Sequence, residues 1–271
     1  DEERLIREGV IRRLLLKGIF MLYKYVGSSV PEDTIKYLKY YLEDGKIRAT
    51  RPNDFNDPAE FKVNFDYDAD IDAIKKRFFE LWPNHHNDEF ERWLLSQTEH
   101  SRSFDNYMIR TTFLQCRGVI CLTKRPDNYL MWSHYAHSHS GFCIGFDDGF
   151  INAFDDGFFV RGEVKYSSDV PVVNFFTDSD KEIAAALCLN KSDVWEYEEE
   201  VRIVTENCGV KLFDKSLIKE ITIGCKASSQ LQNYVHQLFD SGIEIYKMKC
   251  PPGSYKLEKI RLEKDTDFLG Y

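Results

Sequence analysis

Beyond residue 118 the chain breaks into short β-prone runs, and this punctuation constrains its fold more than any other feature of the sequence. Seven runs stand out: Val119 to Thr123, Gly141 to Phe146, Phe158 to Tyr166, Val201 to Val204, Ile218 to Ile223, Ile243 to Met248 and Lys256 to Leu262. Helical spacing interrupts them at about 127–136, 179–189 and 227–240. A strand-rich second half with intervening helices reads as an α+β fold built on a mixed, mostly antiparallel sheet.

The first half supplies different elements. Residues 2–20 place Leu5, Ile6, Val10, Ile11, Leu14, Leu15 and Phe20 at three- and four-residue spacing among charges, which reads as an amphipathic helix or extension. It would dock on its own domain or on a second copy of the chain. Met21 precedes a strand-like Leu22 to Val26, so the core is expected from residue 21 to 271 as one domain. Ser29 and Pro31 before Ile35, Leu38 and Leu42, with Gly45 after them, give a helix its start, its face and its stop. Ile47 to Thr50 then reads as a short strand. From about 70 to 115 the spacing of Ile71, Ile74, Phe78, Leu81, Phe90, Trp93, Leu94, Met108 and Phe113 predicts a helical insertion of two or three helices.

Charge and composition remove several classes of function. The formal charge of −9 argues against a surface that binds nucleic acid through counterion release alone. No apolar run approaches the roughly 18–20 residues that span a bilayer. The seven cysteines are odd in number and form no C-x-x-C pair, which points away from a disulfide framework or a zinc ribbon and towards a reducing cytoplasm. No charged and then apolar leader opens the chain, so export is not expected.

Three segments carry candidate chemistry. In Trp195-Glu196-Tyr197-Glu198-Glu199-Glu200-Val201-Arg202, an extended chain from Glu198 onward would put Glu198, Glu200 and Arg202 on one face, and Glu199, Val201 and Ile203 on the other. Two acids beside a guanidinium would shift one another's protonation, and the plainer alternative is a solvated strand face. In Asp127 to Gly141, His134, His137 and His139 invite a metal, but the spacing lacks any H-E-x-x-H or paired-cysteine support, so packing roles are favoured and no metal is assigned. Trp132 and Tyr135, three apart on the same helix, would pack in the core or line a cleft. In Arg51 to Phe61, the Asn, Asp and Pro density predicts a loop folded on its own Asx turns, with ligand contact as the alternative. Phosphate-loop, dinucleotide and G-x-S-x-G signatures are all missing.

Six ordered motifs resemble a widespread bacterial family of unknown function, domain-of-unknown-function family twenty-nine seventy-one. They are Leu22-Tyr23-Lys24-Tyr25, Phe55-Asn56-Asp57-Pro58-x-Glu60, Cys121-Leu122-Thr123, Met131-Trp132-Ser133-His134-Tyr135, His139-x-Gly141-Phe142-Cys143-Ile144 and Trp195-x-Tyr197-Glu198-x-Glu200-x-Arg202. Together they span about 21–262. Separately, Glu198-x-Glu200-Val201-x-Ile203 is similar to the E-x-E strand of ADP-ribosyltransferases. In that fold a first strand holds the cofactor through a His or Arg, a middle strand and helix add a Ser or Tyr, and a later strand supplies the catalytic Glu. Leu22 to Val26, Val119 to Tyr135 and Glu198 to Val204 stand in that order, with Tyr23, Lys24 and Tyr25 where a His or Arg would be.

That resemblance implies NAD as substrate, Glu200 and Glu198 as catalytic acids, and cofactor contacts from Lys24, Tyr25, Thr123, Trp132, His134, Tyr135 and Arg202. A macromolecular acceptor is left open by it. Two other readings stand beside it: a noncatalytic nucleotide- or peptide-binding module, and a metal-dependent nuclease or hydrolase gathering a divalent cation on Asp57, Glu60, Glu198 and Glu200.

Overall fold

The computed structural model describes residues 21–154 and 160–264. The expected helix over 2–20 lies outside the described residues. An eight-stranded sheet, its strands numbered in chain order, runs across the molecule. Its order is β14 (Glu258–Arg261), β13 (Glu244–Lys249), β12 (Ile218–Ile223), β5 (Phe142–Phe146), β1 (Leu22–Val26), β4 (Gly118–Thr123), β10 (Glu200–Thr205) and β6 (Val160–Glu163). Every neighbouring pair is antiparallel except β12 and β13, so the mixed, mostly antiparallel sheet of the α+β reading is present.

Period-two alternation divides this sheet into two unlike faces. On one face Leu22, Ile120, Leu122, Ile144, Val201, Ile203, Ile221 and Ile223 form the main apolar core. Helix α1 (Pro31–Leu42) contributes Leu38 and Tyr41 to it, and α7 (Ser229–His236) contributes Leu231 and Val235. Helix α1 starts as the sequence predicts, with a proline in its first turn and Glu32 and Asp33 near its N-terminus, and Gly45 turns the chain at φ +60°. Each buried Ile or Leu side chain on this face contributes about 1.5–3 kcal/mol relative to exposure.

The opposite face carries polar residues that are nevertheless buried, among them Thr123, Glu200, Arg202, Glu220 and Thr222. Helix α5 (Tyr129–His134) covers part of it with Met131 and Trp132, and α6 (Asp180–Cys188) covers another part through Ala184, Leu187 and Cys188. Between β3 (Asn64–Asp66) and β4 come the three helices of the expected insertion, α2 (Ile71–Leu81), α3 (Asn87–Ser96) and α4 (Glu99–Cys116). Among the described residues no helix is long and apolar enough to cross a membrane.

Several short strands lie where the sequence has no β pattern. Besides the expected β2 (Lys46–Ala49), the ladders β2–β11 (Gly209–Leu212), β3–β8 (Val172–Asn174) and β7 (Lys165–Ser167)–β9 (Asn190–Ser192) use segments of three or four residues. Such segments are too short to show a period and are fixed by tertiary pairing. The run read as Phe158 to Tyr166 breaks at Val164 into β6 and β7. The Val164 amide is given to the carbonyl of Glu200.

Candidate functional site

The sheet splits beside its central strand. Strand β1 pairs with β5 along its whole length and β4 with β10 along its whole length, but β1 and β4 meet in register only at Tyr23 and Thr123. Past that rung the strands part, and side chains take over from the missing main-chain ladder. Lys24 Nζ donates to the Cys121 carbonyl at 3.0 Å, and the Tyr25 hydroxyl donates to the Arg125 carbonyl at 2.8 Å. The opening is a cleft of about 480 Å³, its mouth included, with Tyr23, Lys24, Tyr25, Phe55, Asn56, Thr123, Tyr135, Lys191, Glu198 and Glu200 among its walls.

At the floor of the cleft lies a buried charge cluster. Glu60, Lys191, Glu198, Glu200 and Arg202 are between 0 and 8 % exposed. Arg202 grips Glu200 with both arms, Nε to Oε1 at 2.8 Å and Nη2 to Oε2 at 2.9 Å. Its Nη2 also donates to Glu60 and its Nη1 to the Cys188 carbonyl at the end of α6. Lys191 Nζ reaches Glu198 at 2.6 Å, Glu60 at 3.2 Å and Glu200 at 3.5 Å. Three carboxylates meet two cations, one negative charge in surplus.

That surplus separates the two acids of the E-x-E stretch. Burial opposes the charge on Glu200, but Arg202 outweighs it and holds the carboxyl down at about 2. Glu198 goes the other way: burial raises its pKa, and Glu200 adds to the rise against the pull of Lys191. Burial opposes the Lys191 ammonium too, yet Glu200, Glu60 and Glu198 raise its pKa overall. One acid is thus a fixed anion and its neighbour a proton-sharing group, the separation that acid–base chemistry uses.

Glu198 arrives by a route that strand alternation does not give. Strand β10 begins at Glu200, and residues 193–198 form a 3-10 turn that ends in Glu199 at φ 43°, ψ 51°. This left-handed residue swings Glu198 inward beside Glu200 and turns Glu199 out to Arg125, 3.1 Å away. The two acids and Arg202 therefore share one surface, as expected, but the surface is buried rather than solvated. The turn is tied down on both sides. Thr123 Oγ1 donates to the Glu198 carbonyl at 2.6 Å, and Asn128, which caps α5 through Oδ1, donates through Nδ2 to the Tyr197 carbonyl at 2.6 Å. The same cap orients the end of α5 so that the Tyr135 hydroxyl donates to Glu198 Oε1 at 2.7 Å.

Of the residues singled out in the sequence, Lys24, Tyr25, Thr123, Tyr135, Glu198 and Glu200 come together around the cleft. Arg202 stands behind it, wholly buried, and acts on the cleft through Glu200 and Glu60. Trp132 is wholly buried, its indole N–H on the Pro126 carbonyl and its ring edge-on to Tyr25 at 5.1 Å, so it supports a wall from behind. His134 is exposed and hydrogen-bonded to the Tyr197 hydroxyl at 3.1 Å, outside the lining.

Lys191 and Tyr166, whose hydroxyl accepts the Glu200 amide at 2.8 Å, carried no sequence signal. Glu60 did, through the Phe55-Asn56-Asp57-Pro58-x-Glu60 stretch. The acids weighed as cation ligands already have partners: Asp57 accepts from the Trp195 indole at 2.8 Å, and Lys191 and Arg202 stand among the other three. Among the described residues no group of His, Cys, Asp and Glu is arranged to hold a metal ion.

The family described as "Protein of unknown function (DUF2971)" matches residues 131–203, the stretch that carries Tyr135, Lys191, Glu198, Glu200 and Arg202. The match takes in the last three of the six ordered motifs and leaves the first three outside it, so the resemblance to that family is shown over this stretch. No curated protein and no solved structure matches the chain.

Proposed function

We propose that this chain, which resembles a family of unknown function over part of its site, cleaves the nicotinamide–ribose bond of NAD in the manner of ADP-ribosyltransferases and NAD glycohydrolases. One observation carries the reading. The three segments that the resemblance assigns to cofactor and catalysis, distant in sequence, are the adjacent strands β1, β4 and β10, with Tyr23, Thr123 and Glu200 on one rung across them at the mouth of the split.

In this reaction the bond from ribose C1′ to the pyridinium nitrogen breaks, and its electron pair discharges the ring. Positive charge builds on the sugar and is stabilised by a nearby fixed anion, as in glycoside cleavage. Glu200, held ionised by Arg202, is that anion. Water or another nucleophile then bonds to C1′ and loses a proton to Glu198, whose raised pKa suits it to accept one. Tyr23, Tyr25, Phe55 and Tyr135 offer aromatic surface for the flat rings, and Lys24 offers charge to the phosphates.

The test is to incubate the full chain with NAD and follow free nicotinamide by chromatography, beside Glu200→Gln and Glu198→Gln variants whose melting shows them folded. Release by the unsubstituted chain alone is the expected result. Release unchanged in both variants overturns the assignment of the acids. No release, with NAD still raising the melting temperature, favours the binding module, a reading supported by the full engagement of Glu200 with Arg202.

A further inference from the structure

Away from this cleft, the end of α4 runs into β4 while the end of β10 runs into the turn before β11. The two strands pair as far as Gly118 and Thr205, and their flanks stay together beyond the ladder. The Cys208 amide donates to the Cys116 carbonyl at 3.1 Å. That bond brings the main chains of the two cysteines into direct contact, the kind of proximity that a disulfide, with its Cα window of about 4.4–6.8 Å, requires.

Two pairs of neighbouring thiols are accessible, Cys116 with Cys208 and Cys225 with Cys250, and the guanidinium of Arg51 faces the first. Cys116 is exposed and Cys208 half-buried, whereas Cys143 and Cys188 are buried and burial pushes both of their thiols up, as it does that of Cys121. Thiols of that kind are inert. Arg51 Nη2 lies 3.8 Å from Cys208 Sγ, where a guanidinium complements the negative charge a sulfur carries as it attacks an electrophile.

We propose that Cys116 and Cys208 are a peroxide-sensitive thiol pair that oxidises to a disulfide, joining the end of α4 to the turn between β10 and β11. With hydrogen peroxide as oxidant, the Cys208 sulfur attacks one peroxide oxygen. An S–O bond forms, the O–O bond breaks, and the leaving hydroxide takes up the thiol proton as water. Cys116 then attacks the sulfenic sulfur. The S–S bond forms, the S–O bond breaks, and the oxygen leaves as a second water with the Cys116 proton. Two thiols are oxidised and one peroxide is reduced. This inference does not depend on NAD cleavage.

The experiment treats the full chain with a few equivalents of hydrogen peroxide, blocks the remaining thiols with N-ethylmaleimide and maps the digest by mass spectrometry. The expected result is a Cys116–Cys208 linked peptide, two thiols lost per chain, and reversal by dithiothreitol. In Cys116→Ser, dimedone should trap a sulfenic acid on Cys208, and Arg51→Gln should slow the first step several-fold. Persistence of both thiols, or a Cys225–Cys250 link in place of the expected one, overturns the proposal. So does an Arg51→Gln rate equal to that of the unsubstituted chain, because the pair would then lack the group that activates it.

Discussion

Lys191 Nζ lies 2.6 Å from Glu198 and 3.2 Å from Glu60, so one ammonium joins the turn before β10 to the loop after β2. Removing it leaves three buried carboxylates facing Arg202 alone. Breaking a buried ionic network by deleting one partner typically costs about 3–5 kcal/mol, because the remaining charges stay desolvated without compensation. Lys191→Met is expected to lose that much in urea denaturation. Adding Glu198→Gln should restore part of it, since two carboxylates then face one cation and the surplus returns to the single negative charge of the unsubstituted cluster. A double-mutant cycle with no coupling between the two positions would contradict this account.

The two acids of the E-x-E stretch predict opposite pH effects. Glu200 sits near 2 in the folded chain against an ordinary 4.5, so the unfolded chain binds its proton at higher pH. Its contribution is present above about 4.5 and is lost as pH falls towards 2, on the order of 3 kcal/mol for a shift of that size. Glu198 is raised, so its folded state binds the proton more tightly, and its contribution is fully present below 4.5 and declines as pH rises through the raised value. Glu198→Gln fixes the neutral form at every pH. Urea midpoints between pH 4 and 8 should therefore shift in favour of the variant as pH rises. A difference that stays constant across this range would mean that Glu198 titrates normally.

Much of this arrangement is legible in the sequence, and the missing part has a physical reason. Val201 and Ile203 alternate with Glu200 and Arg202, and the structure obeys that alternation because one face is apolar core. Alternation fails one residue earlier, at Glu199. A left-handed non-glycine residue is set by the hydrogen bond its amide gives to Glu196 and by the ties on either side of it, none of which has a composition signal. Lys191 was invisible for a similar reason. A lysine in a three-residue strand has no period, and only the fold brings it to three acids far from it in sequence or across a turn. Glu60 could be flagged because its loop is dense in turn formers, but its guanidinium partner lies 142 residues away.

The segment between α5 and β5 sets up a further test. His137, Ser138 and His139 are all left-handed, and Gly141 follows them into the strand with its backbone against Val26. A Cβ at Gly141 would lie 2.2 Å from the Val26 carbonyl oxygen and 2.8 Å from the Gly27 Cα. Both obstacles are main chain, so no side chain can swing away. Gly141→Ala should cost about 3 kcal/mol, the upper end of the usual overpacking range. Gly209→Ala is the control, with nothing within 4 Å of the added Cβ but a φ of +116°, so its cost reports backbone strain alone. If Gly141→Ala were no worse than this control in chemical denaturation, the close approach of β1 to the turn would be wrong.

Glu199 offers the most direct check on how the site is assembled, because its backbone and its side chain can be tested separately. At φ 43° an L-residue is penalised by about 1–2 kcal/mol relative to the right-handed form, whereas glycine is not. The side chain contributes little in return: its ion pair with Arg125 is half exposed on both partners and so worth about 0–1 kcal/mol. Glu199→Ala removes the pair and keeps the strain; Glu199→Gly removes both. The glycine variant should therefore exceed the alanine variant by about 1 kcal/mol in thermal or urea unfolding, the reverse of the order for a residue inside a regular strand, where glycine is the weaker choice. An alanine variant more stable than the glycine variant would mean that residue 199 is extended. In that case Glu198 would share the face of Glu200 by simple alternation and not by the turn.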